Sequence, residues 1–224
     1  MEKLGKIIVI DGGDSVGKAT QVDLLMRRLA GEGVTVATLD YPRYEDNVFG
    51  GLIRECLDGR RGDFMSVDPK IAAALYAADR FETKGILQEW LKEGRVIILD
   101  RYVSANMLHQ GAKIDDPAER EEFFSWLDRV EHGVYGIPRA DLTVCLDVPS
   151  EKSKTLLDYM VNIGQKRADV AEQNREHQAR VAQYAGDVAD NHESWVRVMC
   201  MEGNELRPRE DIHEEIYQIV QKHL

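Results

Sequence analysis

Apolar residues occur along this chain in two alternating patterns, short continuous runs and longer stretches with helical spacing. The short runs are rich in Val and Ile, and they predict five strands at residues 6–11, 34–39, 96–100, 142–147 and 195–201. The amphipathic stretches predict helices at residues 18–30, 49–57, 69–92, 118–131, 150–163, 170–191 and 209–222. Strands that alternate with helices form a parallel sheet covered on both faces. We therefore predict an α/β fold with a five-stranded parallel sheet, as a single domain over residues 1–224.

Two polar stretches interrupt this alternation. Residues 40–68 are rich in Gly, Arg and Tyr, and residues 162–176 lack a continuous apolar stripe, which predicts a mobile surface segment there. Ligands of open α/β sheets bind beyond the carboxyl ends of the strands. We therefore expect the functional site among the segments that follow Asp11, Leu39 and Asp100.

The composition narrows the class of protein. A hydrophobic share of 43% and a charged share of 31% are typical of globular domains. The net charge of -11 argues against nucleic acid as a partner, so a phosphate-bearing ligand should be small. Cys56, Cys145 and Cys200 lack the spacing of a zinc site or a disulfide framework. The apolar run at residues 7–10 is too short for a signal peptide or a membrane span, so we expect a cytoplasmic protein without a membrane partner.

The strongest motif lies between the first predicted strand and the first predicted helix. It reads Gly12, Gly13, Asp14, Ser15, Val16, Gly17, Lys18, Ala19 and Thr20, which is a Walker A loop with one departure. In such a loop, backbone N–H groups and the helix N-terminus surround the phosphates of ATP, and the lysine reaches the outer phosphates. A turn that only joins strand to helix is the structural alternative, and the correctly placed lysine argues against it.

The departure is Ala19, which stands where the motif has a Ser or Thr that holds Mg²⁺. Thr20 follows directly, but a helix turns about 100° per residue, so a simple exchange of roles is not expected. Mg²⁺ would then rely on ATP oxygens, water and carboxylates such as Asp14 or Asp100. Such a site is compatible with Mg²⁺, because this ion usually keeps several water ligands when it binds to a protein.

Three further segments carry chemistry that suits a nucleotide. Asp100 and Arg101 follow an apolar strand, where the acid can orient metal-bound water and the guanidinium can neutralise phosphates; a solvated ion pair is the alternative. Tyr76 and Arg80 are four residues apart and share one helix face, although a core aromatic beside an extended Arg would have the same spacing. Arg43 lies in a Tyr-Pro-Arg-Tyr turn, and the fork of N–H donors on its guanidinium can bind a phosphate.

Taken together, these segments resemble the thymidylate kinase family, over nearly the whole chain. The matching pieces, in order, are residues 11–20, 41–44, 51–54 and 76–81, then 100–102 with Asn106 and Gln110, residues 146–149, and the tail at 195–216. The resemblance implies a P-loop NTPase-type fold and phosphoryl transfer from ATP to dTMP, giving ADP and dTDP for dTTP biosynthesis. It also implies Mg²⁺, a lid over ATP formed by about residues 162–176, and a homodimer. An apolar helical patch within residues 69–92 could serve as the two-fold interface, although core packing explains the same spacing.

The resemblance also implies roles for individual residues. Lys18 and Arg101 would contact phosphates, Asp14 would lie near the acceptor sugar and phosphate, and Arg43 would hold the acceptor phosphate. The thymine would stack on Tyr76, its edge would meet Arg80, and Asn106 or Gln110 would complete the base or sugar contacts.

Two departures from the family pattern affect these roles. Some members carry a basic residue in the P-loop after the acid, but here that position is Ser15. The resemblance therefore implies that the lid cations Lys166 and Arg167 bind ATP, with Arg167 taking part in catalysis. The second departure is His109, where an aromatic hydroxyl is frequent in the family and helps to exclude ribonucleotides.

Two other functions stay open from the sequence. One is a kinase for another nucleoside monophosphate or for a deoxynucleoside. The other is an ATP-binding switch without turnover, which the loss of the metal-binding hydroxyl at Ala19 would allow. A switch has no need of the acceptor-side residues Arg43, Tyr76 and Arg80, and this favours a kinase.

Overall fold

Five parallel strands form the central sheet, in the spatial order β2-β3-β1-β4-β5. The computed structural model describes residues 4–164 and 167–224. The strands are β1 (Lys6–Gly12), β2 (Val36–Asp40), β3 (Val96–Asp100), β4 (Leu142–Asp147) and β5 (Trp195–Met199). A short antiparallel hairpin, β6 (Met201–Glu202) and β7 (Glu205–Leu206), follows β5. The predicted α/β fold with a five-stranded parallel sheet is confirmed.

Helices cover both faces of this sheet. They are α1 (Lys18–Gly31), α2 (Val48–Leu57), α3 (Pro69–Glu82), α4 (Lys84–Lys92), α5 (Val103–Gly111), α6 (Pro117–Asp128), α7 (Ser150–Asn162), α8 (Val170–Gln173), α9 (Arg175–Asn191) and α10 (Arg209–Gln221). A 3₁₀ turn occupies Phe64–Ser66, and a π-helical segment, Arg129–Val134, continues α6. Within the described ranges, no helix combines the length and the apolar character needed to cross a membrane.

The alternation of β1 side chains explains why the strand reads as a continuous apolar run. Ile8 and Ile10 pack into the cluster built with α1 and α10, while Ile7 and Val9 pack into a second cluster on the opposite face of the sheet. All four side chains are fully buried. Because both faces of the strand are covered, these four positions are apolar, whereas the buried Asp11 further along β1 accepts hydrogen bonds from the Gly12 N–H and the Ser104 hydroxyl.

Two predicted helices are each divided in the structure. The helix predicted at 69–92 breaks at Thr83, whose hydroxyl donates to the Arg80 carbonyl at 3.1 Å and competes with the helical ladder. The helix predicted at 170–191 breaks at Asn174, whose side chain accepts from the His177 N–H at 3.1 Å and caps α9. These breaks arise from side chain to backbone hydrogen bonds that hydrophobic periodicity does not report.

Other element bounds differ from the sequence prediction by a few residues. Helix α5 was predicted only as a motif-bearing segment, and β5 ends at Met199 because the chain then turns into the β6–β7 hairpin. Helix α6 begins one residue earlier than predicted, after the N-cap Asp116, and gives way to the π-helical segment after Asp128.

Candidate active site

A cavity of about 770 Å³ lies where β1, β2 and β3 end. Its wall is built from the P-loop, the carboxyl ends of β2 and β3, helices α2, α3, α5 and α7, and residues in and around α8. This is the place expected for a ligand of an open parallel sheet. The loops that the sequence singled out after the first three strands therefore converge on one space.

The P-loop backbone at the head of this cavity needs glycine at two positions. Gly12 has φ 135°, and a Cβ there would lie 2.5 Å from the Leu146 carbonyl oxygen of β4. Gly17, with φ 94°, is the N-cap of α1. Both φ values favour glycine, so this part of the motif is dictated by backbone geometry as well as by phosphate binding.

Lys18 opens α1 and turns back over the loop. Its ammonium donates to the Gly13 carbonyl at 2.5 Å and to the Gly12 carbonyl at 3.4 Å, and the residue is 7% exposed. Burial and the nearby Arg101 lower the pKa of Lys18, against the opposing effect of surrounding carboxylates. A buried cation held by loop carbonyls is well placed to exchange them for phosphate oxygens.

Arg101 is the second cation at this end of the cavity. Its guanidinium forms an ion pair with Asp14 and donates to His109 Nε2 at 2.7 Å. Burial alone would lower the pKa of Arg101, but Asp14 and other nearby acids raise it above its ordinary value. The backbone of Arg101 has φ 65°, an uncommon conformation for a residue with a side chain. Such conformations often occur at functional sites.

Asp14 has both carboxylate oxygens engaged. One pairs with Arg101, and the other accepts from Gln178 Nε2 at 2.7 Å. Burial alone would raise the pKa of Asp14, but Arg101, His109 and Lys18 together bring it below its ordinary value. Asp14 therefore stays ionised at neutral pH.

His109 stands where an aromatic hydroxyl would be expected from the resemblance noted above. Because Arg101 can only donate, His109 Nε2 must accept, which leaves the ring proton on Nδ1. Burial, and to a lesser degree the cationic neighbours, hold the pKa of His109 well below its ordinary value. Its ring lies 5.9 Å from that of His177, and both rings line the cavity.

The opposite end of the cavity contains a buried ion pair. Arg80 Nε donates to Glu131 at 2.9 Å, a second contact joins Arg80 Nη2 to the same carboxylate, and Nη1 donates to the Tyr102 carbonyl at 3.2 Å. Arg80 is 2% exposed and Glu131 is fully buried. Asn106 donates to Glu131 at 3.0 Å and to the Ala73 carbonyl at 3.1 Å. The carboxylate therefore orients both predicted base-binding residues.

Tyr76 and Gln110 complete this end. The ring of Tyr76 lies 6.2 Å from that of Phe64, and both residues line the cavity. Gln110 is 4% exposed, and within the described part of the chain its Oε1 has no hydrogen-bond partner. A buried amide oxygen without a partner is costly, so a ligand donor is the natural complement.

Arg43 is a predicted substrate-binding residue that the structure does not bring into the cavity, and the predicted ATP-binding residues Gly12 and Gly13 are likewise absent from the cavity wall. Its guanidinium pairs with Asp46 and, at 3.4 Å, with Asp40, and it is absent from the cavity wall that its neighbours Tyr41 and Tyr44 help to form. Contact with a substrate phosphate would require Arg43 to leave these carboxylates.

The structure describes one of the two predicted lid cations and both residues at the Walker position. Arg167 is exposed and lines the cavity, whereas Lys166 lies outside the described residues. Ala19 and Thr20 are both exposed and line the cavity beside Lys18.

Among the carboxylates, Asp100 is the one best suited to a metal near the phosphates. It lines the cavity, and burial raises its pKa against the opposing effect of Lys18 and Arg101. Over residues 4–164 and 167–224, no hydrogen bond uses its carboxylate, and no three His, Cys, Asp or Glu side chains are grouped to hold a metal by themselves. A metal here would need oxygens from its ligand and from water.

Four residues that the sequence analysis did not select also belong to the site: Glu131, Asp169, His177 and Gln178. Glu131, His177 and Gln178 each contact an element distant along the chain, and none of these three lies in a recognisable motif. The nearest sequence signal is Asp169 followed by Glu172, the spacing of a capping box, which the structure forms at the start of α8.

Comparisons with known proteins agree with this geometry. A sequence-family profile described as thymidylate kinase matches residues 10–216. The thymidylate kinase of Mycobacterium tuberculosis (strain ATCC 25618 / H37Rv) is 34% identical over 145 residues, covering 65% of this chain and 67% of the relative. The probable thymidylate kinase of Thermococcus gammatolerans is 29% identical over 235 residues, covering 99% and 98%. A solved thymidylate kinase structure from Candida albicans, 22% identical, has a TM-score of 0.70 over 98% of this chain and 92% of that one. This chain belongs to the thymidylate kinase family.

Proposed function

We propose that this chain transfers the terminal phosphoryl group of ATP to dTMP, forming ADP and dTDP for dTTP biosynthesis. The observation that carries the proposal is a single cavity with two chemically distinct ends. Lys18 and Arg101 place two cations at one end, and Arg80 and Asn106 present buried hydrogen-bonding groups at the other. A nucleoside monophosphate has the same arrangement, with a charged phosphate and a polar base edge separated by a sugar.

At the phosphate end the protein contributes position and charge rather than covalent chemistry. An oxygen of the acceptor phosphate attacks the terminal phosphorus of ATP, and the bond to the ADP oxygen breaks. Lys18 and Arg101 neutralise the oxygens around the moving group, and Arg167 closes over ATP from the lid, together with Lys166. Exclusion of water by this closure favours transfer to dTMP over hydrolysis.

At the base end, the hydrogen bonds already made select a keto pyrimidine. Three of the five Arg80 N–H groups are used by Glu131 and the Tyr102 carbonyl, which leaves two donors for a carbonyl such as thymine O4. Asn106 uses both amide hydrogens on the protein, so its oxygen is free to accept from thymine N3–H. Cytosine would present an amino donor to the Arg80 donors and an acceptor to the Asn106 oxygen, so it should be rejected.

The remaining acceptor contacts follow from the cavity wall. Tyr76 offers its ring for stacking on the base, and Gln110 offers to the base or the sugar an amide oxygen that has no partner among the described residues. Asp14 would lie beside the sugar and the phosphate through its place between Lys18 and Arg101. A role for Arg43 at the acceptor phosphate requires release from Asp40 and Asp46.

Magnesium fits this site when ATP supplies most of its ligands. Asp100 is the carboxylate that can contribute directly or through water, whereas the oxygens of Asp14 are taken by Arg101 and Gln178. When bound, Mg²⁺ would neutralise charge on the phosphates of ATP. The protein residues need only orient that complex, which is consistent with Ala19 in place of a hydroxyl.

We further infer that the chain acts as a homodimer, and the cytoplasmic location expected from the sequence stays a prediction. An ATP-dependent switch without an acceptor is disfavoured by the base end of the cavity. A switch would gain nothing from burying Arg80 and Glu131 against a nucleobase-sized space.

The test is an assay of ATP and Mg²⁺ with dTMP, dUMP, UMP, AMP and thymidine, with identification of the product. We expect dTDP as the preferred product. Lys18→Ala should lower kcat/KM for dTMP by about a hundredfold or more, the scale of removing one preorganised charge-stabilising donor. Lys92→Ala, at an exposed position of α4, is the matched control and should match the parent. Transfer to water alone would refute the proposed function.

A further inference from the structure

Helix α9 contacts the P-loop through one side chain. Gln178, in the first turns of α9, donates from Nε2 to Asp14 Oδ2 at 2.7 Å and to the Ala171 carbonyl at 3.0 Å. Gln178 is absent from the cavity wall. One amide group therefore joins α8, α9 and the P-loop while remaining behind the surface that a substrate would touch.

This bond reaches the reacting end of the cavity through Asp14. The second oxygen of Asp14 pairs with Arg101, and the other terminal nitrogen of Arg101 donates to His109 at 2.7 Å. Arg101 also has a left-handed backbone conformation, with φ 65°. The direction of its guanidinium is thus set from Asp14 on one side and from His109 on the other.

The helix that carries Gln178 is itself well anchored. Asn174 caps its N-terminus, and Val181 and Ala185 are buried in the cluster that covers β4 and β5. A donor on a rigid, buried helix holds its partner more tightly than one on a loop. Gln178 can therefore transmit the position of α9 to Asp14.

We propose that Gln178 is a positioning residue for phosphoryl transfer, which acts through Asp14 to hold Arg101 at the junction of the two substrates. The inference rests on the proposed function for its kinetic consequence. The contact itself is independent of which nucleotide the cavity binds. Gln178 makes no contact with substrate in this arrangement, so its removal should affect kcat more than the KM for either substrate.

The first test replaces the amide by an apolar chain of similar length. Gln178→Met should lower kcat by about tenfold or more, the equivalent of about 1.4 kcal/mol in the barrier, with KM values within about threefold of the parent. Gln173→Met is the matched control, because Gln173 is exposed on α8 and donates only to the Ala168 carbonyl at 2.8 Å. It should match the parent.

The second test reverses the hydrogen-bonding character of the side chain. Gln178→Glu places a carboxyl against the Asp14 carboxylate, and like charge raises the pKa of the introduced group. Above that pKa the two anions repel; below it, the protonated carboxyl donates to Asp14 as the amide did. Activity of Gln178→Glu relative to the parent should therefore recover as the pH falls from about 8 to about 6. Other charged or titratable groups facing Asp14 are Lys18, Tyr44, Tyr76, Arg101, His109, Asp169 and His177.

A third measurement tests the hydrogen bond between Gln178 and Asp14 in the absence of catalysis. Hydrogen–deuterium exchange of the ligand-free protein should show faster exchange of residues 12–20 in Gln178→Met than in Gln173→Met. Unchanged exchange together with unchanged kcat in Gln178→Met would overturn the positioning role. A parent that exchanges as expected but never phosphorylates dTMP would refute the proposed function alone.

Discussion

The buried carboxylate of Glu131 organises the base end of the cavity through its ion pair with Arg80. Two buried ions cost considerable desolvation free energy, which is offset only when further hydrogen bonds satisfy them. Here the Tyr102 carbonyl and the Asn106 amide provide those bonds, at 3.2 and 3.0 Å. The pair therefore serves mainly to orient Arg80 and Asn106.

At this scale we predict that Glu131→Gln destabilises the protein and weakens acceptor binding. The substitution leaves the Arg80 guanidinium buried without its counter-ion, a change that typically costs about 3–5 kcal/mol. Urea unfolding should show the loss, and steady-state kinetics should show a higher KM for dTMP with a smaller change for ATP.

The control for this prediction is an ion pair on the surface. Glu122 pairs with Lys70 at 3.3 Å and is exposed, so Glu122→Gln should change the free energy of unfolding by less than about 1 kcal/mol. Equal effects of the two substitutions would contradict the orienting role of Glu131.

At the scale of elements, the segment between α7 and α8 brings an arginine to the cavity. Arg167 lines the cavity from this segment, beside the capped start of α8 at Asp169. An arginine supplied to a phosphoryl-transfer site can accelerate the reaction by about 10³ or more. Replacement of Lys166 and Arg167 together by Ala should therefore lower kcat by orders of magnitude, with a small change in the KM for dTMP.

Arg175→Ala is the matched control for the lid substitution. Arg175 is exposed at the start of α9 and is not part of the cavity wall. It should leave kcat unchanged. A kcat of the lid variant within a few-fold of the parent would remove both lid cations from the mechanism.

The start of α8 also gives a pH-dependent contribution to stability. Asp169 accepts from the Glu172 N–H at 2.9 Å, and burial raises the pKa of Asp169 to about 6. Between the ordinary pKa near 4 and this raised value, the folded state keeps a proton that the unfolded state has lost. The free energy of unfolding therefore falls as the pH rises through that window.

We predict that Asp169→Asn removes this fall, because Asn keeps the N-cap but does not ionise. Urea unfolding of parent and variant at several pH values between about 4 and 7 measures the difference in slope. Asp116→Asn changes the exposed N-cap of α6 and serves as the control. The same slope for Asp169→Asn and the parent would contradict the prediction.

At the scale of the whole molecule, exposed apolar side chains near the end of α3 are candidates for a homodimer interface. Glu82 accepts from the backbone N–H groups of Val48 and Phe49 at 3.0 and 2.8 Å, which brings the start of α2 beside Phe81. Val48 is 79% exposed and Phe81 is 47% exposed. We infer that these exposed apolar side chains belong to an interaction surface, which a two-fold interface would pair with itself.

We predict that the protein sediments as a dimer and that Phe81→Glu shifts it to a monomer. A buried carboxylate on each side of a two-fold interface is unfavourable both by desolvation and by like charge. Leu206→Glu, at an exposed position of the β6–β7 hairpin, should remain dimeric. A monomeric parent, or a dimeric Phe81→Glu variant, would contradict the assignment of this surface.

The sequence by itself determined the features that depend on neighbours along the chain. The sheet follows from β-branched runs that need no polar face, and the P-loop follows from glycines whose φ values, at Gly12 and Gly17, few other residues adopt. Lys18 follows from its place at the start of a helix. These signals are local, and each can be read from a window of a few residues.

Only the tertiary structure decided which distant groups meet. Arg80 finds Glu131 across 51 residues, and Gln178 finds Asp14 across 164. It also turned Arg43 toward carboxylates rather than toward the cavity. The physical reason is that hydrogen bonds and ion pairs act over a few ångströms in space. Helix packing, which hydrophobic spacing indicates only as a face, sets the partner of each buried polar side chain.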